Sequence, residues 1–416
     1  MEKLQNVFKN FISSDMLAGV INFSLVLVNV VVVTTMWQQA GMPYNGAFTA
    51  VVLSALLGTF VAAYYRLSVA VAPGIVINTF LCYDLVICQG FSWQEAMSVP
   101  LLAGLGVLLL ARLGMWEKLL KALPEYLFVC IPATVGVFLI YRGLVMAHLI
   151  ITAPAQVTGI GSLNDPLVWV TLPALLVVLY FIHRQREYAL AAGLLTALGA
   201  AMYMGLFSWP EYPLSLPEGL LDTALQFTTG NVILLFGAVL VVFLVLVFEA
   251  VALGKLLGAD CEKNLLSTNG TAALLGGLFS GGAMSVAEVT AACRFQGVNP
   301  RRAALISAGM LFLLLFCTPL ALTMGKYTAI SAAVVIGAGC LLLMDLKFLP
   351  INDNISILAG VFTIILVPVW GSLTAGIGFG LIIYSLLMVF NGRGRELSRL
   401  LIPIIGLFVI YFYYAV

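Results

Sequence analysis

Two acidic residues stand in stretches of the chain that are otherwise apolar. Glu249 ends the apolar run 232–248, and Glu288 follows 39 residues later in an apolar stretch broken by glycines. A charge at the centre of a bilayer costs about 2.5–3.5 kcal/mol or more, so such a residue usually faces a cavity and has a function there. Carboxylates accept hydrogen bonds and exchange protons. The pair therefore predicts the substrate and proton site of a transporter.

Each acid also has a structural interpretation. Glu249 could pair with Lys255, but a separation of six residues places the two side chains on different helix faces. Glu288 could cap a helix start, a role that is compatible with binding. We expect Glu249 to carry the coupling proton, because an apolar span favours a neutral carboxyl group. We expect Glu288 to accept hydrogen bonds from the substrate, because freed backbone amides before it favour its charged form.

Two segments are too short and too interrupted for ordinary membrane helices. Residues 69–80 are broken at Pro73-Gly74, and residues 279–288 are broken at Gly281-Gly282. Proline and glycine free backbone groups that the membrane interior tolerates only beside a cavity or another polar partner. Paired broken segments in corresponding positions of two halves indicate the binding site of a transporter.

The expected site combines the two acids with residues of both broken segments. Asn78 either caps the half-helix after Gly74 or contacts the substrate. Asn29 is expected to tether the broken segments by an interhelical hydrogen bond. The expected substrate contacts are Glu249, Glu288, Asn78, Gly74, Met284, Ser285 and Ala287, and the residues expected to shape the site are Asn29, Pro73, Gly281 and Gly282.

The composition requires a membrane. Apolar residues make up 62% of the chain and charged residues 9%, with a mean hydropathy of +1.11, whereas soluble domains carry about 25% charged residues. The net charge of +1 gives no sign of a nucleic-acid partner. Scattered cysteines and two distant histidines predict neither a disulfide framework nor a metal centre. No nucleophile–base pattern or phosphate-binding loop is found, so a proton gradient, without a cofactor, is the expected energy source.

Fourteen apolar segments are expected to span the bilayer, with about 20 residues each. They lie near 17–37, 46–65, 70–86, 97–114, 124–145, 166–183, 188–208, 231–254, 267–281, 283–294, 303–323, 327–346, 354–370 and 372–390. A last apolar stretch, 400–415, is short enough to lie along the interface instead. The polar amino terminus lacks a small-residue cleavage site, so no cleaved signal peptide is expected.

The basic residues set the expected orientation. With a cytoplasmic amino terminus and alternating spans, only Arg142 and Lys326 fall outside, so 17 of the 19 basic residues are cytoplasmic. Both flanks of the membrane region, with Lys3 and Lys9 at one end and Arg393–Arg399 at the other, are therefore expected on the cytoplasmic side of the inner membrane.

Seven spans on each side of a central loop, 209–230, predict an internal repeat. An odd number of spans per half requires the two halves to be inverted. Residues 23–29 resemble 243–249, and residues 49–58 resemble 271–280 at a similar spacing. The expected fold is an all-α membrane protein of two inverted seven-span repeats, with broken third and tenth spans.

Motifs along nearly the whole chain resemble the nucleobase:cation symporter-2 family, and within it the AzgA-like adenine/guanine/hypoxanthine permease branch. The most specific motif combines Ala72-Pro73-Gly74 and Asn78 with Ser92-Trp93-Gln94. The segments Asp15–Gly19 and Thr374–Gly380 are also similar to that branch.

The resemblance implies a core domain of spans 1–4 and 8–11 and a gate domain of spans 5–7 and 12–14. The core would comprise residues 1–123 and 231–323, the gate residues 124–208 and 327–390, and residues 391–416 would form a cytoplasmic linker with an apolar end. The resemblance further implies a homodimer, and a base held between the broken segments, the eighth span and the gate. Transport would be proton-coupled, with elevator-type alternating access. Glu249 and Glu288 occupy the positions of the family's two acids.

The pocket residues depart from the branch. Val76 replaces a second glycine, and Glu249-Ala-Val-Ala-Leu253 lacks both hydroxyls of the branch's Asp-Thr-x-Gly-Thr. The run 281–287 lacks the threonines that precede the tenth-span acid in the branch. The pocket is therefore expected to be unusually apolar. The alternative is a transporter of anions or other small solutes on the same seven-plus-seven fold, which would prefer a positive site. A membrane-embedded enzyme is a third class, but the sequence shows no nucleophile–base or metal-binding constellation that would support it.

Overall fold

The structure, a computed structural model, covers most of the chain. It describes residues 2–118, 124–153, 156–186, 188–219, 232–257, 261–286, 298–325, 327–344, 353–370, 373–398 and 401–415. Two of the expected site residues, Ala287 and Glu288, lie outside these ranges, as does Lys326. Within the described ranges the chain is mainly helical, with two pairs of short strands.

The first half contains the elements of the first seven expected spans. In chain order they are α1 (Glu2–Gln39), α2 (Tyr44–Tyr64), β1 (Val71–Pro73), α3 (Ile75–Thr79), a π-helix (Phe80–Cys88), α4 (Trp93–Leu113), α5 (Glu125–Met146), β2 (Ile150–Ala153), β3 (Gln156–Ile160), α6 (Pro166–His183) and α7 (Ala189–Tyr203). The third expected span is therefore interrupted, as predicted: it begins as an extended strand and continues as α3 and the π-helix.

The second half follows a similar order. Its elements are α8 (Val232–Leu257), α9 (Glu262–Leu278), β4 (Met284–Val286), α10 (Pro300–Leu314), α11 (Thr318–Gly325), α12 (Thr328–Leu343), α13 (Asn354–Trp370), α14 (Leu373–Phe390), a short 3-10 turn (Gly394–Glu396) and α15 (Leu401–Ala415). Strand β4 lies where the tenth expected span begins, and the remainder of that span is outside the described residues.

Two local features differ from the sequence prediction. The eleventh expected span, 303–323, is divided into α10 and α11, because Pro319 has no N–H to bond the Leu315 carbonyl and proline is favoured in the first turn of a new helix. The loop between the fifth and sixth spans forms an antiparallel hairpin of β2 and β3, in a stretch rich in β-branched residues. The fold is thus not entirely α-helical.

Membrane-spanning length is clearest for three of the described helices. The helices α2, α4 and α6 are each long and apolar enough to cross a bilayer, by length and composition. Shorter apolar helical stretches occur within α1, α3 with its π-helix, α7, α8, α12, α13 and α14.

Local sequence signals explain where several helices begin. Ser92 and Glu95 form a capping box at the start of α4, in which each side chain binds the other residue's backbone N–H. Asp165 caps α6 by accepting a hydrogen bond from the Leu167 N–H, and it also bonds His148 Nδ1 at 2.7 Å. Both bonds lower the pKa of Asp165 below its usual value, and the bond from the Leu167 N–H has the larger effect.

The helices pack in two groups. The first helix group consists of α1, α2, α4, α8, α9 and α10, and it surrounds β1 and β4. Its closest helix pair is α4 with α9, where a Cβ on Gly104 would lie 2.6 Å from the Gly270 carbonyl oxygen. Only a residue without a side chain permits this approach, as is common between membrane helices.

The second helix group consists of α5, α6, α7, α12, α13 and α14. Within it, α12 packs on α5, α6 and α7, and α13 packs on α5 and α14. A buried cluster that includes Val170, Val178, Leu194 and Val334 joins α6, α7 and α12. The two groups meet where α1 contacts α7 and α12, where α3 contacts α5, and where α8 contacts α14.

Two polar contacts join the ends of different helices. Asp15 of α1 accepts a hydrogen bond at 2.7 Å from the N–H of Asn299, which precedes α10. Asp353, which precedes α13, lies 3.5 Å from Arg393, which follows α14. The expected topology places these four residues on one face. Hydrogen bonds from Ser356 to Asp353 lower the pKa of that carboxyl group.

Candidate functional site

The two broken segments meet as a buried antiparallel ribbon inside the first helix group. Strand β1 pairs with β4, with Val71 opposite Val286 and Pro73 opposite Met284. All six strand residues are buried. One further backbone hydrogen bond, from the Gly74 N–H to the Ala283 carbonyl at 3.0 Å, extends the pairing beyond the strands. Two segments about 210 residues apart in sequence thus satisfy each other's backbone groups, as interrupted membrane segments require.

Asn78 ties one end of the ribbon together. Its Oδ1 accepts hydrogen bonds from the Ala283 N–H at 2.9 Å and from Trp37 Nε1 at 3.2 Å. Its Nδ2 donates to the carbonyls of Gly74 and Ala283, each at 2.8 Å. These bonds use both lone pairs and both N–H groups of the amide. Asn78 therefore joins the two segments without capping α3, whose N-cap is Gly74 and has no side-chain cap. A substrate would have to displace one of these bonds to contact the side chain.

Side chains of two flanking helices hold the other end of the ribbon. Thr59 Oγ1 of α2 accepts from the Val71 N–H at 3.1 Å. Asn269 Oδ1 of α9 accepts from the Val286 N–H at 2.8 Å. Because Val71 and Val286 are opposite each other, the ribbon is fixed at one end by α2 and α9 and at the other end by Asn78.

Gly281 and Gly282 let the chain approach α2 and Asn78. Gly282 adopts a φ of +80°, which is strained for residues with a side chain. A Cβ there would lie 2.6 Å from Trp37 Nε1 and would overlap Asn78 Oδ1. A Cβ on Gly281 would overlap Ser54 Oγ and lie 2.7 Å from the Ala50 carbonyl oxygen. Gly281 and Gly282 were expected to shape the site, and these close approaches are the steric reason why neither position has room for a side chain.

Glu249 lies on α8, the helix that packs on strand β4 of the ribbon. It is half-buried between the buried residues Phe248 and Ala250, and its Oε2 atom is shielded from solvent. The helix carrying it packs on α4, α9 and β4. Glu249 is therefore positioned by the same helix group that encloses the ribbon. Glu288, the second expected acid, and Ala287 lie outside the described residues.

The remaining expected site residues occupy distinct positions around the ribbon. Met284 and Ser285 are buried on β4. Ser285 faces the turn after β1, since a Cβ on Gly74 would lie 3.2 Å from Ser285 Oγ. Asn29 is half-buried on α1. The expected tether by Asn29 stays a prediction, and the bonds that the structure shows between the broken segments are those of Asn78.

The sequence interpretation missed Trp37, Thr59 and Asn269. Trp37 lies near the end of α1, where a tryptophan usually anchors a helix at the membrane interface, but its side chain is fully buried. Asn269 offered a detectable signal, because an amide inside a membrane helix commonly forms interhelical hydrogen bonds. Across the described ranges, no group of three or more His, Cys, Asp or Glu residues is arranged to hold a metal ion.

Comparison with known proteins gives relatives that cover nearly the whole chain. No protein-family model matches the chain. It is 25% identical over 420 residues to the guanine/hypoxanthine permease PbuO of Bacillus subtilis, covering 96% of each chain. It is 28% identical to the nucleobase transporter PlAzg2 of Paenibacillus larvae, covering 89% of this chain and 76% of the relative. It is 25% identical to the adenine permease AdeP of Escherichia coli, covering 95% of this chain and 92% of the relative.

The resemblance to the nucleobase transporter family is confirmed. Relatives along the full length are named permeases or transporters, and none of these names is that of an enzyme. They are integral membrane proteins, in agreement with the apolar composition of this chain.

Solved structures show that the fold is that of membrane transporters. The transmembrane domain of the cyanobacterial bicarbonate transporter BicA superimposes with a TM-score of 0.66, covering 88% of this chain and 97% of that one, at 15% identity. The murine anion transporter Slc26a9, in an inward-facing state, superimposes with a TM-score of 0.62, also at 15% identity. The match covers 92% of this chain and 69% of that one. At this identity the likeness concerns the fold alone.

Proposed function

We propose that this protein imports a nucleobase, a purine such as adenine, guanine or hypoxanthine, by proton symport. The observation that carries the proposal is the position of Glu249 on α8, the helix that packs on strand β4 of the ribbon. Full-length relatives that are named guanine/hypoxanthine and adenine permeases support the substrate class. Purines present N–H groups along one edge, and carboxylates are strong acceptors for such donors in a dry site.

We further propose that the first helix group moves as the core and the second as the gate. Two features support this division: the ribbon lies wholly within the first group, and the most extensive helix pairings lie within each group rather than between the groups. The base would be held beside the ribbon and α8, and the core would carry it past the gate, in elevator-type alternating access.

Uptake into proteoliposomes tests the transport function. Purified protein is reconstituted and given an inward proton gradient, and labelled adenine, hypoxanthine, guanine, xanthine and uracil are supplied separately. We expect at least one purine to accumulate above protein-free liposomes, and we expect a protonophore to abolish the accumulation. If no base accumulates, the proposed function is wrong. If accumulation survives the protonophore, proton coupling is wrong.

The alternative of anion transport rests on the fold shared with BicA and Slc26a9. The half-buried acid Glu249 argues against it, since an anion prefers a positive site and a carboxyl group offers none in either protonation state. The same liposomes decide between the two, with labelled bicarbonate and chloride supplied in place of the bases. Anion uptake without base uptake would favour the alternative.

One contact crosses the proposed boundary between core and gate. The guanidinium of Arg142 on α5 lies 4.6 Å from the ring centroid of Tyr83 in the π-helix. The Tyr83 hydroxyl donates at 2.6 Å to Gln39 Oε1 at the end of α1. A cation–π contact contributes about 0.5–2 kcal/mol, depending on desolvation. If the core slides against the gate, this contact breaks in every cycle.

Removing this contact is expected to accelerate exchange of substrate. Arg142→Met and Tyr83→Leu should each raise the rate of substrate counterflow by about two- to tenfold, because the contact no longer opposes the movement. The double variant should exchange no faster than either single variant, since both remove the same interaction. Tyr83→Phe keeps the ring and serves as the control for the hydroxyl. Additive effects on counterflow would show that the contact does not restrain the movement.

We also propose a homodimer in the inner membrane, with both flanks of the membrane region cytoplasmic. The resemblance to the family supports the dimer, and the distribution of basic residues supports the orientation. Mass measurement in nanodiscs that gives monomers alone would contradict the dimer.

A further inference from the structure

The glycine-rich segment Thr374–Gly380 of α14 makes close contacts with two neighbouring helices. A Cβ on Gly380 would overlap Thr363 Oγ1 of α13, and a Cβ on Gly378 would lie 2.8 Å from Phe408 Cγ of α15. Phe408 is buried, and its ring occupies the space that a side chain at Gly378 would need. The two glycines therefore let α13 and α15 approach α14 closely, as small residues do between membrane helices.

A second ring contact and the connection before α15 attach this helix to the same group. Phe379 of α14 and Phe412 of α15 form an edge-to-face pair with ring centroids 6.2 Å apart. In the connection, Arg393 lies 3.5 Å from Asp353, which precedes α13, and 2.8 Å from Glu396. The contacts of α15 with α14, together with this connection, join it to the second helix group.

The depth of these contacts places α15 inside the membrane rather than along its surface. Helix α14 is expected to cross the bilayer, and Gly378 precedes its last residue, Phe390, by twelve residues, which is about 18 Å of helix rise. The hydrocarbon core is about 30 Å thick. Phe408, which packs on Gly378, therefore lies near the middle of the bilayer. A helix lying flat at the interface would contact only the last turns of α14.

Helix α15 also packs on α8, the helix that carries Glu249. Its residues, Leu401–Ala415, include no charged side chain. Apolar contacts are non-directional, so two apolar surfaces can shift past each other without the loss of specific bonds. The contact between α15 and α8 therefore suits two elements that move relative to each other.

We propose that α15 is a fixed part of the gate, which enters the membrane beside α14 and forms a surface along which α8 slides during transport. This inference rests on the proposed function, in which α8 moves with the core. Phe408 fits against Gly378 and cannot move along α14 without meeting side chains, so α15 stays on α14 while its contact with α8 shifts.

A disulfide between α14 and α15 tests this assignment. Because a Cβ on Gly378 would lie 2.8 Å from Phe408 Cγ, the Cβ atoms of the two positions lie within about 4 Å, which a disulfide permits. Gly378→Cys/Phe408→Cys is reconstituted and oxidised with copper phenanthroline, and mass spectrometry quantifies the cross-linked peptide. We expect most molecules to be cross-linked, with uptake of labelled adenine, hypoxanthine or guanine within about twofold of the reduced protein.

The outcomes separate this inference from the proposed function. Each single-cysteine variant, oxidised in the same way, controls for the native cysteines. A loss of uptake of about tenfold or more on oxidation, reversed by a reductant, would overturn the inference, because α15 would then travel with α8. Absence of the cross-link would also overturn it, because α15 would not be docked on α14. If the unaltered protein takes up no purine, the proposed function is wrong, while the cross-link still reports the docking.

Two glycine substitutions test the docked surface without cysteines. Gly378→Leu forces a side chain into the Phe408 ring, whereas a Cβ on Gly406 of α15 would meet no heavy atom within 4 Å. Compared with Gly406→Leu, Gly378→Leu should lower the midpoint of thermal unfolding by several degrees and purine uptake per folded transporter by about threefold or more. Adding Phe408→Gly to Gly378→Leu should restore both, because it makes room for the leucine. Equal midpoints for the two leucine variants would overturn the docking. Unchanged uptake in Gly378→Leu, with a lowered midpoint, would show that α8 does not need this surface.

Discussion

Glu249→Gln is expected to abolish accumulation of the base against its gradient while some substrate binding remains. Glutamine has nearly the shape of glutamate but cannot release or take up a proton. One proton moving through one pH unit supplies about 1.4 kcal/mol, enough for about tenfold accumulation of substrate. Without a titrating group at the site, the ratio of internal to external base should fall to about one. We expect this role for Glu249 because it is half-buried on an apolar helix.

Accumulation and exchange must be measured separately to test this assignment. Steady-state uptake under an imposed pH gradient reports coupling, and counterflow at equal pH reports binding and movement. Glu117→Gln, at an exposed acid in the short helical segment that follows α4, controls for the loss of a charge. Glu288→Gln should show the opposite pattern, with weakened binding in both assays. If Glu249→Gln still concentrates substrate, the roles of the two acids have been assigned wrongly.

The interruptions of the third and tenth spans could be predicted from sequence because their cause is local. Pro73 lacks the N–H that a helix needs, and Gly74, Gly281 and Gly282 lack the side chain that favours helical conformation. These effects on the backbone do not depend on the rest of the fold. The long apolar helices were predictable for the same reason. Their composition and length alone indicate a membrane span.

The pairing of the two strands could not be predicted. Asn78 bonds a residue 205 positions away in sequence, so its partners depend on how the two halves are placed in space. The sequence therefore left two roles open for this residue. Asn269 was missed although its type was informative, because a buried amide indicates an interhelical bond without naming its partner. The hairpin of β2 and β3 was missed because a search for apolar spans treats short β-branched segments as loops.

Gly282→Ala is expected to destroy the ribbon and with it the uptake of substrate. The backbone at Gly282 has a φ of +80°, and an alanine there costs about 1–2 kcal/mol. Its Cβ would also overlap Asn78 Oδ1 and lie 2.6 Å from Trp37 Nε1, in a buried position where neither side chain can turn to solvent. Overpacking of this kind costs about 1–3 kcal/mol more. Because Asn78 joins both broken segments, its displacement should release the end of the ribbon nearest the turn after β1.

A second glycine separates the two causes of this effect. Gly41 has a similar φ of +90°, but a Cβ there would meet nothing within 4 Å. Gly41→Ala therefore carries the backbone strain without the overlap, and it should lower the midpoint of thermal unfolding by only a few degrees. Gly282→Ala should lower the midpoint further and reduce base uptake by at least about tenfold, since the site residues of β4 would no longer be held. If the two variants lose stability equally and Gly282→Ala still transports, the contact with Asn78 does not maintain the site.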